Sequence, residues 1–77
     1  MEKLLDLLKG IRPDVDFDNE TALIDDGILD SFDVVSIISE IDDVFGVQIR
    51  ITELDPENFN SAEAIWSLIQ KLNEKTQ

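Results

Sequence analysis

The chain has 77 residues, room for one small domain over 1–77, with eighteen acids against six bases and a formal net charge of -12. That field repels nucleic acid and anionic membrane, and the absence of Cys and His removes disulfides, zinc–thiolate sites and the commonest general base. With 43% hydrophobic residues the sequence is too apolar for a disordered acidic tail, so it should fold.

Leu4, Leu5, Leu8 and Ile11 recur at helical spacing, and Gly10, Arg12 and Pro13 follow as stop signals. Charges interrupt this first helix every few residues, so it is no signal peptide, and no later apolar run is long enough to span a bilayer. A cytoplasmic protein with no membrane insertion is the expectation. Residues 12–30 lose the period and read as a long acidic loop, with Phe17, Leu23, Ile24, Ile28 and Leu29 as its anchors to the core. A loop of that length in so small a domain generally has a function.

The second helix is expected over Ser31–Phe45, closed by Gly46. Val34, Ile38, Ile41 and Phe45 form one stripe, and Val35, Ile37 and Val44 widen it to more than half the circumference, which predicts a helix sandwiched between others. Val47 to Ile51 alternates apolar and polar and reads as an extended connector, since a lone strand has no partner. Asp55 before Pro56 marks a short third helix to Phe59. Asn60, with Glu63 three residues on, opens a fourth whose buried face is Ala62, Ile65, Trp66, Ile69 and Leu72. The expected fold class is all-α, a small four-helix bundle with three main helices and a short third one.

Between Pro13 and Ile49 lie eleven acids and not one base. Asp33, Glu40, Asp42 and Asp43 fall on the second helix, where their charge suits docking onto basic patches of partner proteins, with steering that salt weakens. At the loop–helix junction stands Gly27-Ile-Leu-Asp-Ser31-Phe-Asp33, where either Asp30 or Ser31 could cap the helix. The same position suits a covalently attached phosphate, because the positive end of the helix dipole and free backbone N–H groups lie there.

The segment from Thr21 to Gly46 resembles the acyl carrier protein family, in which an Asp-Ser-Leu/Phe motif opens the second helix and the serine carries 4′-phosphopantetheine. The resemblance extends over essentially the whole chain. It implies attachment at Ser31, with Gly27, Leu29, Asp30 and Phe32 as the surrounding motif. Asp30 is then expected to help position the serine or the metal of the modifying enzyme. The implied partners of this monomer are a Mg²⁺-dependent phosphopantetheinyl transferase, an acyl- or aminoacyl-loading ligase, and an acceptor transferase or synthase with a basic docking patch. The resemblance also implies a carrier that performs no bond-making of its own, which fits the absence of His and Cys, and an arm whose thiol holds an acyl or aminoacyl group as a thioester. The aromatic Phe32 after the serine, Ile51-Thr-Glu-Leu-Asp55 and Phe59-Asn60-Ser61 resemble D-alanyl carrier proteins most, which implies cell-wall (teichoic acid) D-alanylation as a narrower alternative. Ser36 departs from the fatty-acid pattern, where Glu is common.

Three rival readings bear on the same residues. Asp14-x-Asp16-x-Asp18-Asn19, with Asp25 in the twelfth position, imitates a calcium-binding loop but lacks the required glycine and the terminal bidentate Glu. Asp42 and Asp43, as helix neighbours, point about 100° apart and cannot converge as a hydrolytic pair. An acidic helical interaction module without a prosthetic group, with Ser31 merely a cap, is the third. No metal ligands are assigned.

Overall fold

The computed structural model describes residues 1–75. Four α-helices follow one another: α1 (Glu2–Ile11), α2 (Ser31–Phe45), α3 (Pro56–Phe59) and α4 (Ala62–Lys75), with a 3₁₀ turn over Ile51–Glu53 before α3. Helix α1 packs against both α2 and α4, and α3 against α4. The all-α bundle expected from the periodicity is the one observed.

Helix α1 buries Leu4 and Leu8, one turn apart, while Leu5, Leu7 and Ile11 pack at the margin. It runs through Gly10, which the sequence suggested as a stop, and ends where Arg12 leaves helical geometry and donates its N–H to Leu8 O at 2.9 Å. Pro13 then prevents continuation. The acidic stretch is pinned by Phe17, Leu23 and Leu29 at full burial, by Ile24 and Ile28 at its edge, and also by Val15, which the pattern did not single out.

Helix α2 departs from expectation on its outer side. Ile37 and Ile41 are buried and Val34, Ile38 and Phe45 half-buried, but Val35 is 64% exposed and Val44 is exposed as well. The helix is therefore not enclosed all round: α1 packs against it, and Val35 and Val44 stay open to solvent. Gly46 closes it in the left-handed region at φ 68°, donating to Asp42 O at 3.0 Å, a conformation in which a side chain is strained.

The connector after Gly46 alternates as expected, with Val47 and Ile49 buried and Gln48 and Arg50 exposed. It then tightens into the 3₁₀ turn, where Glu53 donates its N–H to Arg50 O and accepts the Arg50 N–H on its carboxylate, both at 2.9 Å. Pro56 occupies the first turn of α3, as the sequence implied. The start of α4 differs from the Asn60–Glu63 reading. Ser61 does the capping, its hydroxyl accepting the Ala64 N–H at 3.0 Å, and Asn60 is engaged elsewhere. Ala62, Ile65, Leu68, Ile69 and Leu72 form the buried face. Trp66, placed among them by its spacing, is only half-buried: it lies at the rim, edge-on to Phe45 with ring centroids 5.9 Å apart.

Candidate functional site

The two candidate caps of α2 are resolved by hydrogen bonding. Asp30 is the N-cap, in extended geometry, and its Oδ1 accepts the Asp33 N–H at 2.9 Å. Asp33 reciprocates, its Oδ2 accepting the Asp30 N–H at 3.2 Å, which completes a capping box with Asp in the place usually held by Glu. Ser31 is therefore the first helical residue and is exposed, relieved of capping duty. The capping role that the interaction-module reading gave to Ser31 is filled by Asp30.

The approach to Ser31 is built by the acidic stretch. Gly27 turns the chain at φ 70°, its N–H bonded to Ile24 O at 3.0 Å, and Leu29 N–H bonds Leu23 O at 2.9 Å. Leu29 is 4% exposed, so the residue two before Ser31 is anchored in the core while the serine stands outside it. Phe32, immediately beyond, is 83% exposed. Helical spacing groups Phe32 and the exposed Val35 with Ser36 and Ser39 into a ridge leading away from Ser31. At its far end Ser39, Glu40, Asp42 and Asp43 line one shallow, open depression. The ridge is apolar near the serine and anionic beyond.

Asp33, expected on that anionic face, stands apart from it. Its side chain is 15% exposed and shared between Arg12 and the Asp30 N–H. The acidic run is also less bare of cations than its sequence: Lys9 pairs with Asp18 at 3.1 Å, and Arg12 with both Asp14 and Asp33. The carboxylates of the calcium-loop imitation engage separate partners, Asp14 with Arg12, Asp16 with the Asn19 side chain at 2.8 Å and Asp18 with Lys9. Arg12 holds the Asp14 carboxyl below the usual range through their hydrogen bonds, and Asp14 foremost, then Asp33, push the guanidinium pKa up.

Two residues of consequence were not assigned a site role by sequence. Arg12 was read as a stop signal; that it is the last base before a long base-free segment was the available hint. Asn60, read as a helix opener, reaches back across the fold: its Oδ1 accepts the N–H groups of Ile24 at 3.0 Å and Asp25 at 3.1 Å, and its carbonyl accepts Leu23 N–H at 2.9 Å. Nothing in its sequence neighbourhood signals a partner so distant. A groove of about 490 Å³ lies between the Thr52–Asn58 stretch and α4 and does not include Ser31.

No protein-family model matches the chain. The D-alanyl carrier protein of Lactococcus lactis subsp. cremoris (strain MG1363) is 30% identical to it over 76 residues, covering 91% of each chain. The D-alanyl carrier protein of Streptococcus equi subsp. zooepidemicus (strain MGCS10565) is 33% identical over 72 residues, covering 92% of this chain and 91% of the relative. The chain belongs to the phosphopantetheine carrier protein family. This carrier holds an acyl or aminoacyl group and delivers it to partner enzymes.

The residues of the carrier fit the group such proteins bear. A phosphodiester needs an accessible hydroxyl, and Ser31 offers one at the positive end of a 15-residue helix whose capping is already met by Asp30. When bound, such an arm would supply the thiol that the chain lacks. Around Ser31, Leu29 is anchored in the core, Asp30 and Asp33 fix the first turn of α2, and Phe32 and Val35 are exposed apolar side chains. No described helix is long and apolar enough to cross a membrane.

Proposed function

We propose that Ser31 is the attachment site of 4′-phosphopantetheine, and that this protein works in the cytoplasm as a passive carrier for an aminoacyl group. The observation that supports this reading best is the exposed Ser31 at the first position of α2, freed from capping by the Asp30–Asp33 box. Attachment makes a phosphodiester at the Ser31 oxygen as the pyrophosphate bond of coenzyme A breaks and adenosine 3′,5′-bisphosphate leaves, and the hydroxyl proton passes to a base on the transferase, since the chain holds no His. The carrier is a substrate of its partners and contributes no catalytic group of its own.

Its partners are a phosphopantetheinyl transferase, a loading ligase and an acceptor enzyme, each with an apolar seat for Phe32 and Val35 beside a basic patch for Glu40, Asp42 and Asp43. That polarity along α2 gives a direction of docking: apolar contact next to the reacting serine, electrostatic steering further out. The names of the relatives and the Phe32 and Phe59-Asn60-Ser61 details favour D-alanine as the cargo. A small cargo also accords with bulky Phe32 beside the serine.

Intact-mass measurement after incubation with coenzyme A, Mg²⁺ and a broad-specificity phosphopantetheinyl transferase tests the site. One added phosphopantetheine, absent from Ser31→Ala, is expected. A mass gain that persists in Ser31→Ala, or none in a folded wild-type chain, overturns it. Charging of the modified carrier by D-alanine-activating ligases, against a panel of other amino- and acyl-adenylating ligases, then decides the cargo.

A further inference from the structure

The stretch from Pro13 to Ile49 contains no base, so any cation at the start of α2 must be delivered by the fold from another segment. Arg12, at the C-terminal end of α1, delivers it. Its Nε and Nη2 donate to the two carboxylate oxygens of Asp14 at 3.0 and 2.9 Å, a forked pair that fixes the plane of the guanidinium. Its Nη1 then donates to the Ile28 carbonyl at 3.1 Å and to Asp33 Oδ2. A single side chain thus grips the chain on both sides of Leu29–Ser31, at Ile28 before and at Asp33 after.

The Asp33 oxygen that accepts from Arg12 is the one that accepts the Asp30 N–H, so the guanidinium also sets the second half of the capping box. The side chain of Arg12 is 29% exposed and that of Asp33 15%, which shelters the contact from full solvent screening. Lysine, a point charge without the fork, cannot hold Asp14, Ile28 and Asp33 together in this way.

We infer that Arg12 is a positioning residue for modification of Ser31, acting through Ile28 and Asp33 to fix the serine's place at the helix start. The inference rests on Ser31 being the attachment site. It separates two functions along α2: Glu40, Asp42 and Asp43 govern encounter with the transferase, whereas Arg12 governs how Ser31 is presented once encounter has occurred.

The test uses the full chain as wild type, Arg12→Ala, Arg12→Lys, Asp33→Asn and the Arg12→Ala/Asp33→Asn double variant. Each is followed by intact mass over time at several carrier concentrations, with coenzyme A, Mg²⁺ and the broad-specificity transferase. Arg12→Ala is expected to lower kcat about tenfold with KM within about twofold, the signature of misplacement without lost encounter. Arg12→Lys should recover only part of kcat, and the double variant should be no slower than Arg12→Ala. Independently of activity, amide exchange at Asp30 in the unmodified chain should quicken in Arg12→Ala.

A folded Arg12→Ala with wild-type kcat, a loss confined to KM, or unchanged Asp30 exchange overturns the inference. If Arg12→Ala does not fold, Asp33→Asn decides: wild-type kcat there overturns it, and a matching drop sustains it. Normal modification of wild type with no effect at Arg12 leaves the Ser31 reading standing. A wild type that takes no arm, or a Ser31→Ala that does, removes both.

Discussion

Asn60 and Asp25 hold each other through two bonds: Asn60 Oδ1 accepts the Asp25 N–H at 3.1 Å, and Asn60 Nδ2 donates to the Asp25 carboxylate at 3.2 Å. With the Ile24 N–H on the same oxygen, one amide side chain at the α3–α4 corner satisfies two consecutive backbone donors of the acidic stretch. Gly27 and the turn into Ser31 follow directly, so the corner and the start of α2 are mechanically joined.

Removing that amide should leave two backbone N–H groups seeking water. Asn60→Ala is expected to lower stability by about 0.5–1.5 kcal/mol, the net worth of a typical hydrogen bond, because the freed donors lie near enough to the surface to be hydrated. Urea unfolding followed by Trp66 fluorescence checks this; a midpoint equal to wild type counts against the clamp.

The buried and exposed phenylalanines near the site should behave in opposite ways. Phe17, 2% exposed, lies within the irregular stretch yet belongs to the core, and Phe17→Ala should cost about 3–5 kcal/mol. Phe32, 83% exposed, should lose almost no stability as Ala while transferase and ligase turnover falls. Melting temperature and modification kinetics measured side by side distinguish the two; equal melting losses contradict the assignment.

Charge reversal should divide α2 as the structure does. Glu40→Lys with Asp43→Lys should preserve the fold, raise KM for the transferase and flatten its salt dependence, since these groups face solvent. Asp33→Lys should instead lower the melting temperature, by placing a second cation against Arg12 and breaking the capping box. Similar melting curves for the two variants would argue against separate roles.

The Asp14 carboxyl, held down by Arg12, should contribute stability that is present above the ordinary aspartate range and is lost as pH falls through its lowered pKa. The melting-temperature gap between wild type and Asp14→Asn should therefore be open at neutral pH and close in acid. A gap that widens on acidification reverses the sign and sinks the assignment.

The acids of the base-free stretch repel one another, and among the described residues Lys9 and Arg12 form ion pairs with three of them, Asp14, Asp18 and Asp33. Added MgCl₂ should raise the melting temperature of the wild-type chain by screening that repulsion. A flat response to MgCl₂ would mean that the ion pairs already suffice.

By itself the sequence determined the helices, because each is written in local periodicity and punctuation: Leu4 and Leu8 one turn apart, Gly46 after Phe45, Pro56 opening α3. It also determined that the one reactive-looking hydroxyl stands at the junction of loop and helix, since Asp30, Ser31 and Phe32 are neighbours in the chain. Only the tertiary structure decided which side of α2 is covered, and so why Val35 is exposed while Ile37 is buried, because that depends on where α1 comes to rest. It alone decided that Asp33 turns to Arg12, that Asn60 serves the acidic stretch and that Ser61 caps α4 in its place. The Arg12–Asp33 and Asn60–Ile24 contacts join residues far apart in sequence, and a carboxylate or amide carries no local mark of the partner that chain folding will bring to it. The Ser61 cap is local, and falls to Ser61 because Asn60 is drawn away.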